Sequence, residues 1–220
     1  MDANFFQTER YAKNKSNIIA DLDSAMVSLK SMEVAARLKG AKRLSYHSRR
    51  PLGWSCLPVR EWFWDDSIRV ELSEICRDES DEKVLSYLLS ALRFLYDRYL
   101  THPLWEELYS KKEELAYVRW VLPIAEECNQ ASVLIKMEVA GIFATCSDNR
   151  AWDIYNEILP KKSAYRVQTE LDFMRYAKNS ITYKQRIDLL QTIEKFIMKL
   201  KNPEAGYYAK QIKKILESIS

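Results

Sequence analysis

The sequence predicts an all-α protein, and three observations point to that class. The 220 residues include only four glycines, each standing alone, so the chain has little from which to build tight hairpins or phosphate-cradling loops. Apolar residues recur at steps of three and four, which is the spacing of one helix face. The turn dipeptides that favour β-hairpins are missing. We therefore expect at least half of the residues to be helical, with helical hairpins stacked as a short solenoid or packed as an irregular multi-helix array.

The N-terminal part predicts a helix that ends near Gly40. Its apolar face consists of Ile18, Leu22, Ala25, Leu29, Met32 and Ala36. Residues 40–66 interrupt this pattern with Gly40, Pro51, Gly53 and Pro58. Because glycine and proline punctuate regular structure, we expect an irregular segment there.

The clearest helix signal follows Ser80. Ser80 is expected to be the N-cap, with Asp81 and Glu82 in the first turn, where acidic side chains stabilise a helix. A wide apolar stripe comes next: Val84, Leu85, Leu88, Leu89, Leu92, Leu95, Tyr96 and Tyr99.

Further helices are expected in pairs towards the C-terminus. Their predicted ranges are 103–108, 112–127, 130–146, 151–159, 165–176, 183–200 and 203–219. We expect one domain, residues 1–220, with N-terminal helices in 1–39, a basic and aromatic irregular segment in 40–66 and paired helices in 67–220.

Helix starts near residues 112, 150 and 182 recur at the period of a helical-repeat protein. In this spacing and pairing the chain resembles the HEAT and armadillo-like helical repeat families. The resemblance implies a stack of hairpins whose extended concave face binds another protein.

Charge is segregated along the chain behind a net charge of +3. Residues 1–60 hold 11 Lys/Arg against 5 Asp/Glu, residues 61–160 hold 10 against 20, and residues 161–220 hold 13 against 6. Either the basic ends pair with the acidic middle of the same molecule, or two basic zones face an anionic partner.

Residues 34–60 contain no acidic residue and many basic ones. Candidate phosphate or nucleic-acid contacts within this basic stretch are Arg37, Lys42, Arg43, Arg49 and Arg50. The alternative is that these cations pair with the acidic block at 61–82 of the same chain.

An aromatic cluster follows the basic stretch. Trp54, Trp62 and Trp64 are candidate partner-binding residues, because exposed tryptophans often carry binding energy at interfaces. The alternative is that these rings anchor the irregular segment to the core.

No reaction signature is present, and the sequence favours a protein that is not an enzyme. The two histidines, His47 and His102, have no local partner motif, and the four cysteines form no metal-ligand pair, so we expect no catalytic residues, metal or cofactor. The longest apolar runs are too short to span a membrane. Without a secretory signal at the N-terminus, we expect a reducing, cytoplasmic location.

The leading functional hypothesis is a non-enzymatic helical-repeat protein that acts as adaptor, regulator or inhibitor of a protein partner. The alternative is a nucleic-acid-binding protein. In length, helical content and basic charge the chain resembles the HEAT-like alkylpurine glycosylases of DNA repair, although no catalytic aspartate aligns.

Overall fold

A computed structural model gives the structure of residues 8–49, 56–97, 111–128, 132–161, 167 and 181–199, and of positions 207, 210, 211, 214 and 217. The α-helices in these residues alone span more than half of the chain, and the described residues include no strand. The predicted all-α class is confirmed. Contacts group the chain into two compact units, Met1–Glu127 and Cys128–Ser220. The expectation of one domain stays a prediction, and the units are described in turn.

The first unit contains six helices in the described residues. They are α1 (Glu9–Leu29), α2 (Val34–Ser48), α3 (Cys56–Phe63), α4 (Asp66–Asp78), α5 (Glu82–Asp97) and α6 (Lys111–Glu127). Helix α2 packs against both α1 and α5, while α3 packs against α1 and α4 against α6. Helix α2 also makes extensive contact with α5, which is not its neighbour in sequence.

The core of the first unit follows from helical periodicity. Ile18, Leu22, Ala25 and Leu29 form the buried face of α1, as the sequence predicts. The stripe on α5 is also buried: Val84, Leu85, Leu88, Leu89, Leu92 and Leu95 are each at most 8% exposed. Tyr96 and Tyr99, the last residues of the predicted stripe, lie outside the residues whose side chains are described.

The prediction of one helix running to Gly40 is wrong, because the chain turns after Leu29. Helix α1 ends there and α2 begins at Val34. Met32, which the sequence placed on the buried face, lies in this turn and is 95% exposed.

The irregular segment expected at 40–66 is also largely helical in its described part, since α2 continues to Ser48 and α3 begins at Cys56. Gly40 lies inside α2 at the point where α1 crosses closely. A side chain would not fit there, because a Cβ at Gly40 would lie 2.6 Å from the Ala25 carbonyl oxygen. Pro58 lies in the first turn of α3, where a missing N–H breaks no intrahelical hydrogen bond. Gly40 and Pro58 therefore serve helix packing and helix initiation.

The cap predicted for α5 is shifted by one residue. The Asp81 carboxylate, and not Ser80, accepts hydrogen bonds from the backbone N–H groups of Lys83 and Val84, both at 3.0 Å. Aspartate is as good an N-cap as serine, so the sequence alone could not separate the two neighbours.

The second unit contains α7 (Val133–Thr145), α8 (Arg150–Ile158), a 3₁₀ turn (Leu159–Lys161) and α9 (Tyr183–Met198) in its described residues. Helix α7 is buried on nearly every side, whereas α8 buries one face that includes Trp152 and Tyr155. Helix α8 packs against both α7 and α9. The ranges predicted for these helices are confirmed to within a few residues, and the helices predicted at 103–108, 165–176 and 203–219 lie outside the continuously described residues.

Candidate binding surface

Helix α2 lines a surface cleft of the first unit. Six residues of α2 line a cleft of about 720 Å³: Ala35, Leu38, Lys39, Lys42, Arg43 and Tyr46. Asp21 of α1 closes one side of it. These positions share one face of α2 because they recur at helical spacing. We call this surface the α2 cleft.

Arg43 and Asp21 form the wall of the α2 cleft. The Arg43 Nε donates to both carboxylate oxygens of Asp21, at 2.8 and 2.7 Å, and a second guanidinium nitrogen, Nη2, also donates to Asp21. The ring of His47 lies on the same carboxylate, with Nε2 2.6 Å from Oδ2. Hydrogen bonding from Arg43, and to a smaller extent from His47, lowers the pKa of Asp21 although partial burial opposes this. The carboxylate is therefore held ionised and ties α1 to α2.

A second, polar cleft lies beside this wall. Asn14, Asn17, Ile18 and Ala20 of α1 line it with Asp21, Arg43 and His47, and its volume is about 640 Å³. The His47 side chain is only 3% exposed. The His47 ring is buried, and the Asp21 carboxylate is shared with Arg43. The His47 and Asp21 pair therefore links two helices rather than serving as an exposed acid-base pair.

The predicted phosphate contacts are distributed over several environments. Arg37 forms an ion pair with Glu79, and the Arg49 Nη2 donates to the Ser90 hydroxyl. The Arg49 guanidinium also lies over the Phe94 ring, 4.4 Å from its centroid. Arg37 therefore follows the alternative interpretation of the basic stretch, because its partner, Glu79, belongs to the acidic block at 61–82 of the same chain. Arg50 lies outside the described residues.

Lys42 differs from these arginines. It is exposed in the α2 cleft, and its Nζ lies 5.6 Å from the ring centroid of Tyr87 on α5. A cation at this distance from an aromatic face is weakly stabilised and stays available to a ligand. The role of the five basic residues in phosphate or nucleic-acid contact stays a prediction.

Two of the three candidate tryptophans pack inside the first unit. Trp62 is 6% exposed, and its indole N–H donates to Asp23 at 2.7 Å. Trp64 is half-buried, stacks on Tyr117 with centroids 6.3 Å apart and meets Trp120 edge to face. Trp54 lies outside the described residues. The packing of Trp62 and Trp64 accords with the anchoring alternative, and their part in partner binding stays a prediction.

Sequence reasoning missed the α2 cleft itself, because residues 40–66 were read as irregular. Had residues 34–48 been read as one helix, the spacing of Ala35, Leu38, Lys42 and Tyr46 would have placed them on one face. The partnership of Asp21 with Arg43 had no local signal, since 22 positions separate them.

The described part of the chain bears on metal ligation, membrane spanning and thiol chemistry. Within it, no group of three or more His, Cys, Asp or Glu side chains is arranged to hold a metal ion. None of its helices combines the length and the hydropathy that crossing a bilayer requires. Burial raises the pKa of the Cys146 thiol to about 12.

Comparison with known proteins gives a structural likeness to a designed repeat protein. No family model and no curated protein matches this chain. Among solved structures, a designed armadillo repeat protein is similar over 91% of this chain and 100% of its own length, with 13% sequence identity and a TM-score of 0.33. The resemblance to HEAT and armadillo repeats that helix spacing predicts stays a prediction at the level of family. Function is therefore inferred from the α2 cleft itself.

Proposed function

We propose that this chain is a non-enzymatic helical binding protein that holds a protein partner in the α2 cleft and thereby acts as an adaptor, regulator or inhibitor. One observation carries the proposal: a single rigid helix presents aliphatic, aromatic and cationic side chains together in an open cleft. Protein interfaces combine these features, with an apolar centre and a polar rim.

The exposed side chains give the cleft its binding capacity. Tyr46 is 56% exposed at one end, and Ala35 is exposed at the other. Tyrosine is enriched in binding hot spots because it offers a large apolar ring and a hydrogen-bonding hydroxyl at little entropic cost. The helix that carries it is fixed by α1 and α5, so little ordering is required when a partner binds.

Charge favours protein over nucleic acid as the partner. Arg37, Arg43 and Arg49 are engaged by side chains of the same molecule. Nucleic-acid binding depends on several cations that contact successive phosphates, and the exposed lysines of the cleft are only Lys39 and Lys42.

Site-specific photo-crosslinking tests the proposed function. A benzophenone amino acid replaces Tyr46, and the protein is irradiated in native lysate with and without nuclease. The same substitution at Tyr183, which is 77% exposed on α9, provides the control position. We expect a discrete protein adduct at position 46 that survives nuclease, is lost with Lys42→Glu and is not formed at position 183.

Two results would overturn the proposal. An adduct at position 46 that contains nucleic acid and disappears with nuclease would establish the alternative function. Identical adduct patterns at positions 46 and 183 would show that the α2 cleft has no partner of its own.

A further inference from the structure

Resting on the proposed function, we infer that the occupant of the α2 cleft is an acidic amphipathic helix of the partner protein. Three features of the cleft lead to this occupant: its length, the arrangement of its apolar and basic side chains, and the absence of exposed backbone groups to pair with. Each limits the ligand in a different way.

The length of the cleft suits a short helix. Its residues extend from Ala35 to Tyr46, which at 1.5 Å per residue is about 16 Å along α2. A ligand helix of about three turns has the same length. Such a helix can pack its ridge of side chains into the groove beside α2.

The side chains that line the cleft are complementary to an amphipathic ligand. Ala35, Leu38 and the ring of Tyr46 provide apolar contacts, and Lys39, Lys42 and Arg43 lie among them. A complementary surface therefore has apolar residues at every third or fourth position and charged residues on the flanks of that stripe.

Electrostatics selects an acidic ligand over a basic one. The carboxylate of the cleft, Asp21, is already satisfied by Arg43 and His47. Among the described residues, neither Lys39 nor Lys42 forms an ion pair. Carboxylates on the ligand would supply the missing partners and would speed association by long-range attraction.

The backbone of α2 favours a helical ligand over an extended one. The N–H and C=O groups in the middle of α2 are hydrogen-bonded within the helix, so an extended peptide finds no strand edge to pair with. The described lining of the α2 cleft also contains no Asn or Gln side chain that could take the place of such pairing. A helical ligand satisfies its own backbone and needs only side-chain contacts.

A binding titration tests this occupant with a designed probe. The probe is a fluorescein-labelled helical peptide of about 16 residues with Leu at every third or fourth position and Glu on both flanks. It is titrated with the full chain and followed by fluorescence anisotropy. Three comparison ligands are a peptide of identical composition with the Leu stripe broken, a peptide with Lys in place of Glu, and a single-stranded DNA of equal length.

We expect the acidic amphipathic peptide to bind at least about tenfold more tightly than each comparison ligand. Lys39→Glu together with Lys42→Glu should weaken this binding by about tenfold or more and improve binding of the Lys peptide. Lys184→Glu, an exposed change on α9, should leave both affinities unchanged. Circular dichroism of each variant verifies that it is folded.

Equal binding of the acidic amphipathic peptide and its broken-stripe counterpart would overturn the inference, and so would the tightest binding by single-stranded DNA. If the peptide fails to bind while the benzophenone at position 46 still forms a protein adduct that survives nuclease, the proposed function stands and only the acidic helix is wrong. If the peptide does not bind and no specific protein adduct forms at position 46, both the acidic helix and the proposed function are wrong.

Discussion

Arg37 and Glu79 form a two-contact ion pair that joins the turn between α1 and α2 to the turn between α4 and α5. The Arg37 Nε lies 2.8 Å from Glu79 Oε2, and its Nη2 lies 3.1 Å from Oε1. A third guanidinium nitrogen, Nη1, donates to the carbonyl oxygens of Ser31 and Met32. Glu79 also accepts a hydrogen bond from the backbone N–H of Asp81, so one pair of side chains organises two helix connections.

Replacing Glu79 is expected to destabilise the first unit. Its side chain is 2% exposed, and Glu79→Gln would leave the Arg37 guanidinium facing a neutral acceptor. We expect the free energy of unfolding to fall by about 2 kcal/mol, measured by urea denaturation. Glu127→Gln is the comparison, because Glu127 also pairs with an arginine but is half exposed, and it should change stability little. Equal effects of the two substitutions would contradict the structural role of Glu79.

Gly40→Ala is expected to destabilise the protein even though alanine favours helices. The new Cβ would lie 2.6 Å from the Ala25 carbonyl oxygen and 3.1 Å from the Ser28 Cβ. Helix propensity alone would raise stability by about 1 kcal/mol. Because α1 and α2 must separate to admit the methyl group, we expect a net loss of about 1–3 kcal/mol in urea denaturation. A gain in stability would show that the two helices are not in close contact at this point.

Truncation of the α5 core should be costly. Leu88 is 1% exposed, and Leu88→Ala removes its buried methyl groups and leaves a cavity. We expect a loss of about 3 kcal/mol in the free energy of unfolding. Glu82→Ala in the exposed first turn of the same helix should cost much less, so its urea midpoint provides the reference. Similar midpoints for the two variants would place the apolar stripe of α5 outside the core.

Stability should decline in acid partly because of Asp21. Its pKa in the folded protein is lowered, first by hydrogen bonding from Arg43, so the folded state favours the ionised carboxylate. This contribution is present above 3.8, the ordinary pKa of the side chain, and is lost as the pH falls through the lowered value. Asp21→Asn should therefore reduce stability near neutral pH and flatten its decline below about pH 4.

Urea midpoints of the wild type and of Asp21→Asn across this pH range provide the measurement. The pKa values of Asp65 and Asp148 are lowered as well, so the variant should keep part of the acid dependence. Parallel curves for wild type and variant would show that Asp21 ionisation is not coupled to folding.

The helical class and most helix positions could be predicted from the sequence because both depend on local pattern. The described stripe on α5, from Val84 to Leu95, repeats every three or four residues over about three turns, and a buried face is the physical consequence of that spacing. The long helices α6 and α9 were located for the same reason, although Pro123 lies within α6. Their termini differ from the predicted ones by two residues at most within the described chain.

Tertiary structure alone decided the helical form of residues 40–48 and the cleft that α2 lines. Gly40 reads locally as a helix breaker, yet the close crossing of α1 and α2 requires a residue without a side chain at that point. The partners of Arg37 and Arg43 lie 42 and 22 positions away, and such pairings depend on which helices pack together rather than on periodicity. Local spacing fixes which residues share a helix face, whereas the packing of whole helices determines which faces are buried, which charges are paired and which side chains stay exposed.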